Sequence, residues 1–252
     1  MKFTEYISNH QVFRTEDLLS SVSSPYAARE QLRLALKKGT VKSVRRGLYV
    51  SQKGRFEGTQ PDPFKIPLVA DSECVFVLHS ALELYGVVHN VSFECVFRSE
   101  NVLQGFSYGA TRFKPLRTQA NIKTQFLRRN DFVCRVTTKE QTLLDCLASP
   151  SLAGGLEEVL RSVSAYTYLD FGTLRDLTKG ASLTLCARLG WFLDEKRQDW
   201  RVPEEFLEEL SARLYRGPYL MGNSKDKKCS LSKKWRLYFP YDEKEVQSWI
   251  QH

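Results

Sequence analysis

Two arginines stand side by side in the stretch VKSVRRGLYVSQ, and two more lie four residues apart slightly upstream. Arg45 and Arg46 interrupt an alternating, strand-like pattern, whereas Arg29 and Arg33 have the spacing of one helical face. A guanidinium group donates paired hydrogen bonds to guanine or to phosphate oxygens. These four side chains therefore have the types and spacing of groups that bind nucleic acid.

The elements that must position these arginines are three short helices and a hairpin. Residues 3–10 have helical spacing, Thr15 suits the start of a second helix, and Ser24-Pro25 suits the cap and first turn of a third. Gly39 ends the third helix, and residues 41–52 predict a two-stranded hairpin. This order is that of a winged helix-turn-helix, in which the third helix enters the DNA major groove.

The third predicted helix separates its apolar and polar residues. Ala28, Leu32 and Ala35 share one sector, which indicates a core-facing side and an opposite basic side. We predict DNA contacts from the basic side, its two ends and the hairpin: Ser24, Tyr26, Arg29, Arg33, Lys37, Lys38, Lys42, Arg45 and Arg46. A solvated basic face is the alternative, and Glu30 lies close enough to pair with Arg33.

The positive charge of the chain is concentrated near its start. Residues 1–60 contain 11 Lys/Arg and 5 Asp/Glu, a net charge of +6 out of +8 for the whole chain, whereas residues 61–200 contain 16 of each. A polyanion binds such a surface through counterion release. The charge distribution therefore favours a small nucleic-acid-binding domain at residues 1–52 joined to a larger neutral domain.

The remainder of the chain predicts a linker and an α+β domain. Residues 53–67 are rich in proline and glycine and are interpreted as the linker, and residues 68–252 as the larger domain. Apolar runs at 93–98, 106–116, 122–127 and 132–137 predict successive antiparallel strands, followed by helices towards the C-terminus. A lysine-rich loop, Lys225, Lys227, Lys228, Lys233 and Lys234, has no predicted role.

A second basic stretch lies within the predicted strands. Between Tyr108 and Asn130 there are six basic residues and no acidic one: Arg112, Lys114, Arg117, Lys123, Arg128 and Arg129. They are a possible second patch that extends the DNA footprint or contacts RNA or an acidic partner. A charged sheet edge that prevents aggregation explains them equally well.

Residue patterns typical of catalysis are incomplete in this sequence. Asp62 is not followed by a strand-borne E-x-K, since Glu94-Cys95-Val96 lacks the lysine, and no D-x-D motif occurs for a nucleotidyltransferase. His79 adjoins Ser80, but adjacent residues do not make a catalytic triad. We therefore expect no enzyme, no cofactor and no metal site, and we expect His79 to anchor its helix.

The cysteines and the N-terminus indicate a reducing compartment. The six cysteines contain no CxxC pair, and most lie in apolar runs, which is typical of buried thiols. The N-terminal residues MKFTEYISNHQ lack the apolar core of a secretory signal, and no apolar run is long enough to span a membrane. A cytoplasmic location without membrane contact is the expectation.

Four motifs together resemble one known family. RRGLYV, LHSALELYGV, TTKEQTLLDCLASPSLAGGLEEV and ARLGWFL occur in the order found in the AbiEi-type antitoxins of abortive-infection systems against phage. The resemblance covers most of residues 3–195 and is weaker in the last fifty. It implies a winged-helix domain that represses its own promoter at inverted repeats, and a second domain that neutralises a nucleotidyltransferase-type toxin. Whether the toxin is contacted directly is left open.

The sequence therefore predicts an α+β protein with an N-terminal winged helix-turn-helix. Its expected partners are double-stranded DNA and a cognate toxin. A stand-alone winged-helix regulator whose larger domain senses a ligand or a partner is the first alternative. A nucleic-acid-processing enzyme is the second.

Overall fold

The computed structural model describes residues 1–222 and 229–251 of the chain. Lys225, Lys227 and Lys228 of the lysine-rich loop lie outside the described residues. By compactness the chain forms two units. The first unit contains Met1–Val75, Phe93–Ala120 and Arg128–Arg135; the second contains Phe76–Ser92, Asn121–Leu127 and Val136–His252.

Helices and strands alternate through the described residues. The α-helices are α1 (Phe3–Asn9), α2 (Thr15–Ser21), α3 (Pro25–Lys37), α4 (Lys65–Ala70), α5 (Leu78–Leu84), α6 (Lys139–Ala148), α7 (Leu156–Ser164), α8 (Phe171–Thr178), α9 (Leu183–Glu195), α10 (Arg197–Trp200), α11 (Glu204–Ala212) and α12 (Glu243–Ser248). The strands are β1 (Val12–Arg14), β2 (Val41–Arg45), β3 (Leu48–Ser51), β4 (Val75–Phe76), β5 (Glu94–Arg98), β6 (Phe106–Tyr108), β7 (Thr111–Leu116), β8 (Thr124–Arg129), β9 (Phe132–Thr137), β10 (Tyr219–Leu220), β11 (Ser230–Ser232) and β12 (Leu237–Phe239). The mixed α+β class with C-terminal helices is confirmed.

The chain begins with a winged helix-turn-helix, as predicted. Its elements follow in the order α1-β1-α2-α3-β2-β3, and the three strands form a sheet in the order β1-β3-β2. β1 pairs antiparallel with β3 from Val12↔Val50 to Arg14↔Leu48. This strand was not predicted, because three residues are too short for a pattern and its ladder partner lies 34 or more residues away.

The core of this domain is built from one side of each helix. Ala28, Leu32 and Ala35 of α3 are buried, as their spacing predicts. They pack with a group of buried apolar residues from the other elements: Phe3, Tyr6, Ile7, Phe13, Leu18 and Val41. Burying a leucine contributes about 1.5–3 kcal/mol, so this face of α3 is fixed inward and its opposite face is left to solvent.

The segment predicted as a linker, residues 53–67, contains regular structure. A 3-10 turn covers Gly54–Phe56 and α4 begins at Lys65, while Phe64 and Ile66 are buried. Asp62 accepts hydrogen bonds from Arg129 Nε at 2.8 Å and from the backbone N–H of Phe64 at 3.0 Å. The first compact unit continues through this segment to Val75, beyond the predicted boundary at residue 52.

The strands of the first unit correct one prediction. β5 pairs with β7 in parallel, from Glu94↔Arg112 to Arg98↔Leu116, rather than antiparallel. Residues 106–116 form a hairpin, β6 and β7, that turns at Gly109 with φ +58°. This reversal was hidden inside one apolar run and makes β7 parallel to β5. The largest sheet has the strand order β6-β7-β5-β4-β9-β8.

In the second unit, α9 is almost wholly buried. Arg188 in this helix is 9% exposed and, among the described residues, contacts no carboxylate; it donates instead to backbone carbonyls. Its Nε bonds Leu220 O at 2.8 Å, its Nη1 bonds Leu147 O at 2.7 Å and Ala148 O at 3.1 Å, and its Nη2 bonds Gly222 O at 2.9 Å. One guanidinium thus joins the end of α6 to the residues around β10.

Gly190, two residues further along α9, lies against the indole ring of Trp235. A Cβ at position 190 would lie 2.0 Å from Cζ3 of that ring. Trp235 is 1% exposed, and its Nε1 donates to Asp194 Oδ2 at 2.9 Å. A small sheet of β10, β12 and β11 lies beside the turn that contains this tryptophan, with β10 parallel to β12.

Across residues 1–222 and 229–251, every helix is too short or too polar to cross a bilayer.

Candidate nucleic-acid interface

The outward face of α3 is the first part of the candidate interface. Ser24 caps the helix, accepting from Ala27 N at 3.4 Å, and Pro25 occupies the first turn, as predicted. Tyr26 is 81% exposed, and Arg29, Arg33 and Lys37 are exposed on the same side. A helix with a buried apolar face and an outward row of arginine, lysine and tyrosine can be presented to a DNA groove without unfolding.

The two arginines of α3 have different local partners. Arg33 Nε bonds Glu30 Oε2 at 3.1 Å, which confirms the predicted helical ion pair, and both side chains remain more than half exposed. Arg29 is exposed and makes no ion pair with any residue in the described ranges. An exposed ion pair contributes about 0–1 kcal/mol, so Glu30 holds Arg33 only weakly. Of the two guanidinium groups, that of Arg29 is therefore the more available to a base.

Three lysines extend the basic surface at and beyond the C-terminal end of α3. Lys37 lies in the last turn, Lys38 is the C-cap residue, and Lys42 is the second residue of β2. All three are exposed. Because lysine is a flexible point charge, these positions suit phosphate contacts better than base recognition.

The two neighbouring arginines lie in different parts of the hairpin, Arg45 at the end of β2 and Arg46 in the turn. The ladder of β2 and β3 pairs Ser43 with Tyr49 and Arg45 with Leu48, so Val44 is an extra residue, a β-bulge. Arg46 and Gly47 form the turn, with Gly47 at φ +82°, and Arg46 is exposed. The backbone N–H of Thr15 donates to Gly47 O at 2.9 Å and holds the turn against the start of α2.

Arg45 is half-buried rather than free at the hairpin tip. Its guanidinium lies over the ring of Phe106 in β6, 5.4 Å from the centroid, and Phe106 stacks on Phe113 at 4.6 Å. Its Nη1 atom is buried without a hydrogen-bond partner among the described residues. Arg46 thus has the exposure predicted for a DNA contact, while Arg45 lies between the hairpin and β6.

Half of the second basic stretch is paired with acidic residues from other segments. Glu94 lies 2.6 Å from Lys114 Nζ and 3.6 Å from Arg112, and Asp62 pairs with Arg129. Three of the six predicted residues, Arg112, Lys114 and Arg129, therefore carry a neighbouring negative charge. Arg117 and Arg128 are exposed in the first unit, and Lys123 belongs to the second unit.

His79, which was considered for catalysis, makes a structural contact in the fold. His79 Nε2 lies 3.2 Å from Glu158 Oε1 in the interior of the second unit, so it anchors α5 to α7. Burial opposes ionisation of Glu158, but hydrogen bonds from Ser162 and Asn90 hold the pKa of its carboxyl below the ordinary value. Among the described residues, no cluster of three His, Cys, Asp or Glu side chains is placed to hold a metal ion.

Two residues near the hairpin turn were not among the predicted site residues. Arg14 ends β1 and Glu16 lies in the first turn of α2, and both line a cavity with Arg45 and Arg46. In the sequence they lie 29 or more positions from those arginines. Only the pairing of β1 with β3, which was not predicted, places them beside the turn.

Comparison with known proteins gives a likeness of fold. No family model matches the chain, and no curated protein matches it. Among solved structures, the chain is similar to the crystal structure of the RV2827C protein from Mycobacterium tuberculosis, with a TM-score of 0.64 and 14% sequence identity. The match covers 94% of this chain and 89% of that chain. At this identity the likeness shows a shared fold and nothing about activity.

Proposed function

We propose that this protein binds double-stranded DNA at inverted repeats in its own promoter and represses that promoter. In the same proposal it is the antitoxin of a phage-defence operon and neutralises a nucleotidyltransferase-type toxin. The main support for the DNA-binding part of the proposal is the outward face of α3, where the side chains of Tyr26, Arg29 and Arg33 are exposed. The antitoxin half rests on the order of the four sequence motifs.

The exposed chemistry of α3 supports recognition of base sequence. Arg29 can donate two parallel hydrogen bonds to O6 and N7 of guanine, a contact worth about 1–3 kcal/mol of discrimination against other bases. Tyr26, in the first turn, presents both a ring and a hydroxyl to a groove. Ser24 already uses its hydroxyl to cap the helix, so its contribution is to fix where the helix begins.

The surrounding charges support attachment to the DNA backbone. Lys37, Lys38, Lys42 and Arg46 are exposed around α3 and the hairpin turn. Each phosphate that such a cation neutralises releases condensed counterions and adds about 0.9 to the slope of log affinity against log salt. These residues therefore fix the position of the protein on DNA, while α3 supplies specificity.

Replacing Arg29 with alanine is expected to weaken binding to the operon's upstream duplex roughly tenfold or more, since one bidentate guanine contact is lost. Binding to a random duplex should change much less. Fluorescence anisotropy at a fixed, moderate salt concentration measures both. Equal affinities of Arg29→Ala and the parent protein for the upstream duplex would show that α3 does not read bases as proposed.

Two further variants act as controls for this measurement. Arg46→Ala should weaken binding to both duplexes by the same factor. It should also lower the slope of log affinity against log salt by about one, which is typical of a lost phosphate contact. Arg216→Ala removes an exposed arginine of the second unit and should leave both affinities unchanged. All three positions are exposed, so far-ultraviolet circular dichroism should report an unaltered fold.

Co-expression with the neighbouring gene product tests the antitoxin half. The intact chain should restore growth that the neighbouring product alone arrests. A double variant, Arg29→Ala with Arg46→Ala, should restore growth equally when both genes are expressed from a foreign promoter, because antitoxicity is assigned to the larger domain. Continued growth arrest in the presence of the intact chain contradicts the antitoxin assignment without affecting the DNA-binding one.

A cavity in the second unit favours one alternative, a stand-alone regulator that senses a ligand. The cavity lies between α8 and α11, measures about 620 Å³, and has Phe206 and Leu210 at its base with Arg175 and Arg213 among its lining residues. Its volume lies within the 300–1,000 Å³ typical of small-molecule pockets. The co-expression experiment separates this alternative, since a regulator of this kind does not restore growth.

A further inference from the structure

A smaller cavity lies in the first unit between the hairpin turn and the start of α2. It measures about 220 Å³, and its lining includes Arg14, Glu16, Arg45 and Arg46. The hydrogen bond from Thr15 N to Gly47 O, 2.9 Å long, holds the α2 side and the hairpin side together. Three guanidinium-bearing residues and one carboxylate therefore share a cavity with a fixed frame.

The arginines of this cavity are not equally engaged. Arg14 donates from Nε and Nη2 to the two carboxylate oxygens of Asp17, at 3.0 and 2.9 Å. This bidentate bond is the main cause of the raised pKa of Arg14 and the lowered pKa of Asp17. Arg14 is thus a fixed positive charge whose best donors are already used.

Arg45 and Arg46 retain donors that these internal contacts do not use. Nη1 of Arg45 is buried and has no acceptor among the described residues, although a buried donor without a partner costs about 1–3 kcal/mol. Arg46 is exposed, and the structure shows it in no ion pair with a described residue. The cavity consequently has an excess of donors over acceptors.

The orientation of Arg45 is set in advance of any ligand. The bulge at Val44 shifts the register of β2, and the ring of Phe106 supports the guanidinium from one side. Cation–π contact of this kind contributes about 0.5–2 kcal/mol and limits the rotamers of the side chain. A preorganised donor loses little entropy when an anion binds.

The size of the cavity limits the ligand. A volume of about 220 Å³ exceeds the roughly 30 Å³ that one water occupies in the liquid, yet lies below the usual range for drug-sized ligands. We propose that this cavity binds a phosphate group through Arg45 and Arg46, with Arg14 adding positive charge. The group comes either from a free phosphorylated compound or from the DNA backbone, and only the second source rests on the proposed function.

Titration with inorganic phosphate tests the site on the intact protein. Melting temperature and isothermal titration calorimetry are measured in phosphate and in chloride at equal ionic strength. The free-compound source predicts phosphate-specific stabilisation, with binding about tenfold weaker in Arg45→Met through loss of a charged hydrogen bond. Glu16→Gln should bind phosphate roughly two- to fivefold more tightly, since it removes an 85% exposed carboxylate that opposes the anion.

Duplex DNA supplies the second arm. If the phosphate belongs to the DNA backbone, Arg45→Met should weaken binding to random and specific duplexes alike, and Glu16→Gln should strengthen it. Inorganic phosphate should then compete with DNA for the protein. If the phosphate belongs to a free compound, Arg45→Met should weaken phosphate binding and leave the affinity for both duplexes unchanged. The proposal is overturned if Glu16→Gln alters neither phosphate nor DNA affinity, or if Arg45→Met binds both as the parent does. Because Glu16 is exposed, its variant remains informative even if Arg45→Met folds poorly.

Discussion

Gly190→Ala should destabilise the second unit by about 4 kcal/mol, a large part of the 5–15 kcal/mol stability of a typical domain. The new methyl group would lie 2.0 Å from Cζ3 of Trp235, far inside van der Waals contact. The ring cannot move without losing its burial and its hydrogen bond to Asp194. Urea denaturation followed by tryptophan fluorescence measures the change, since all four tryptophans lie in the second unit.

A double-mutant cycle tests whether contact with Trp235 causes the loss of stability in Gly190→Ala. In a Trp235→Ala background, Gly190→Ala should become stabilising by up to about 1 kcal/mol, because alanine is a better helix former than glycine. Gly180→Ala is a matched control in the same unit, because no described atom lies within 4 Å of the place its methyl group would take. A cost at position 190 that persists without the indole ring would mean that the helix itself, not the tryptophan, requires glycine.

Arg188→Met should cost about 3–5 kcal/mol of unfolding free energy in the same assay. Methionine fills much of the volume but leaves the carbonyls of Leu147, Ala148, Leu220 and Gly222 without their donor. Burial also lowers the pKa of the guanidinium, so removing the charge relieves a desolvation cost and keeps the loss within this range.

Substitution by lysine separates the geometry from the charge of Arg188. Lysine retains a positive charge but donates from one nitrogen and cannot span carbonyls on both sides, so Arg188→Lys should recover only part of the lost stability. Arg216→Met, at an exposed arginine of the same unit, should change stability by less than about 0.5 kcal/mol. A loss below about 1 kcal/mol for Arg188→Met would show that water replaces the guanidinium at those carbonyls.

The winged helix-turn-helix was predictable because its signals are local. Ser24 and Pro25 start α3, the spacing of Ala28, Leu32 and Ala35 assigns its buried face, and Gly39 follows its end. The exposed DNA-contact candidates on α3 follow from the same spacing, since a helix face is fixed within a few residues. The ion pair between Glu30 and Arg33 was foreseen for the same reason.

The features that the sequence did not reveal depend on pairing between distant segments. Glu94 lies beside Arg112 and Lys114 only because β5 and β7 are parallel, whereas an antiparallel arrangement was predicted. Asp62 reaches Arg129 from a segment interpreted as a linker. The basic stretch therefore looked unopposed in the sequence, although half of its residues have acidic neighbours in the fold.

The motif ARLGWFL also gains a physical explanation. Two of its residues, Arg188 and Gly190, have contacts that account for their types: one spans backbone carbonyls, and the other makes room for Trp235. The sequence indicated a helix there, but it did not show that both residues depend on partners 32 or more positions away. The contacts at these two positions support the fold.

The bulge at Val44 gives β2 one residue more than β3 between the pairs Ser43↔Tyr49 and Arg45↔Leu48. In a regular ladder, neighbouring residues alternate between the two faces, and one inserted residue exchanges the faces of everything between it and the turn. The bulge therefore sets the face on which Arg45 lies, whereas Arg46 reaches solvent because it lies in the turn. Sequences that share such a hairpin are therefore best aligned by counting backwards from the turn. Counting forwards from α3 shifts the register by one residue at the bulge, so that Arg45 of one sequence would be matched with the position of Arg46 in another.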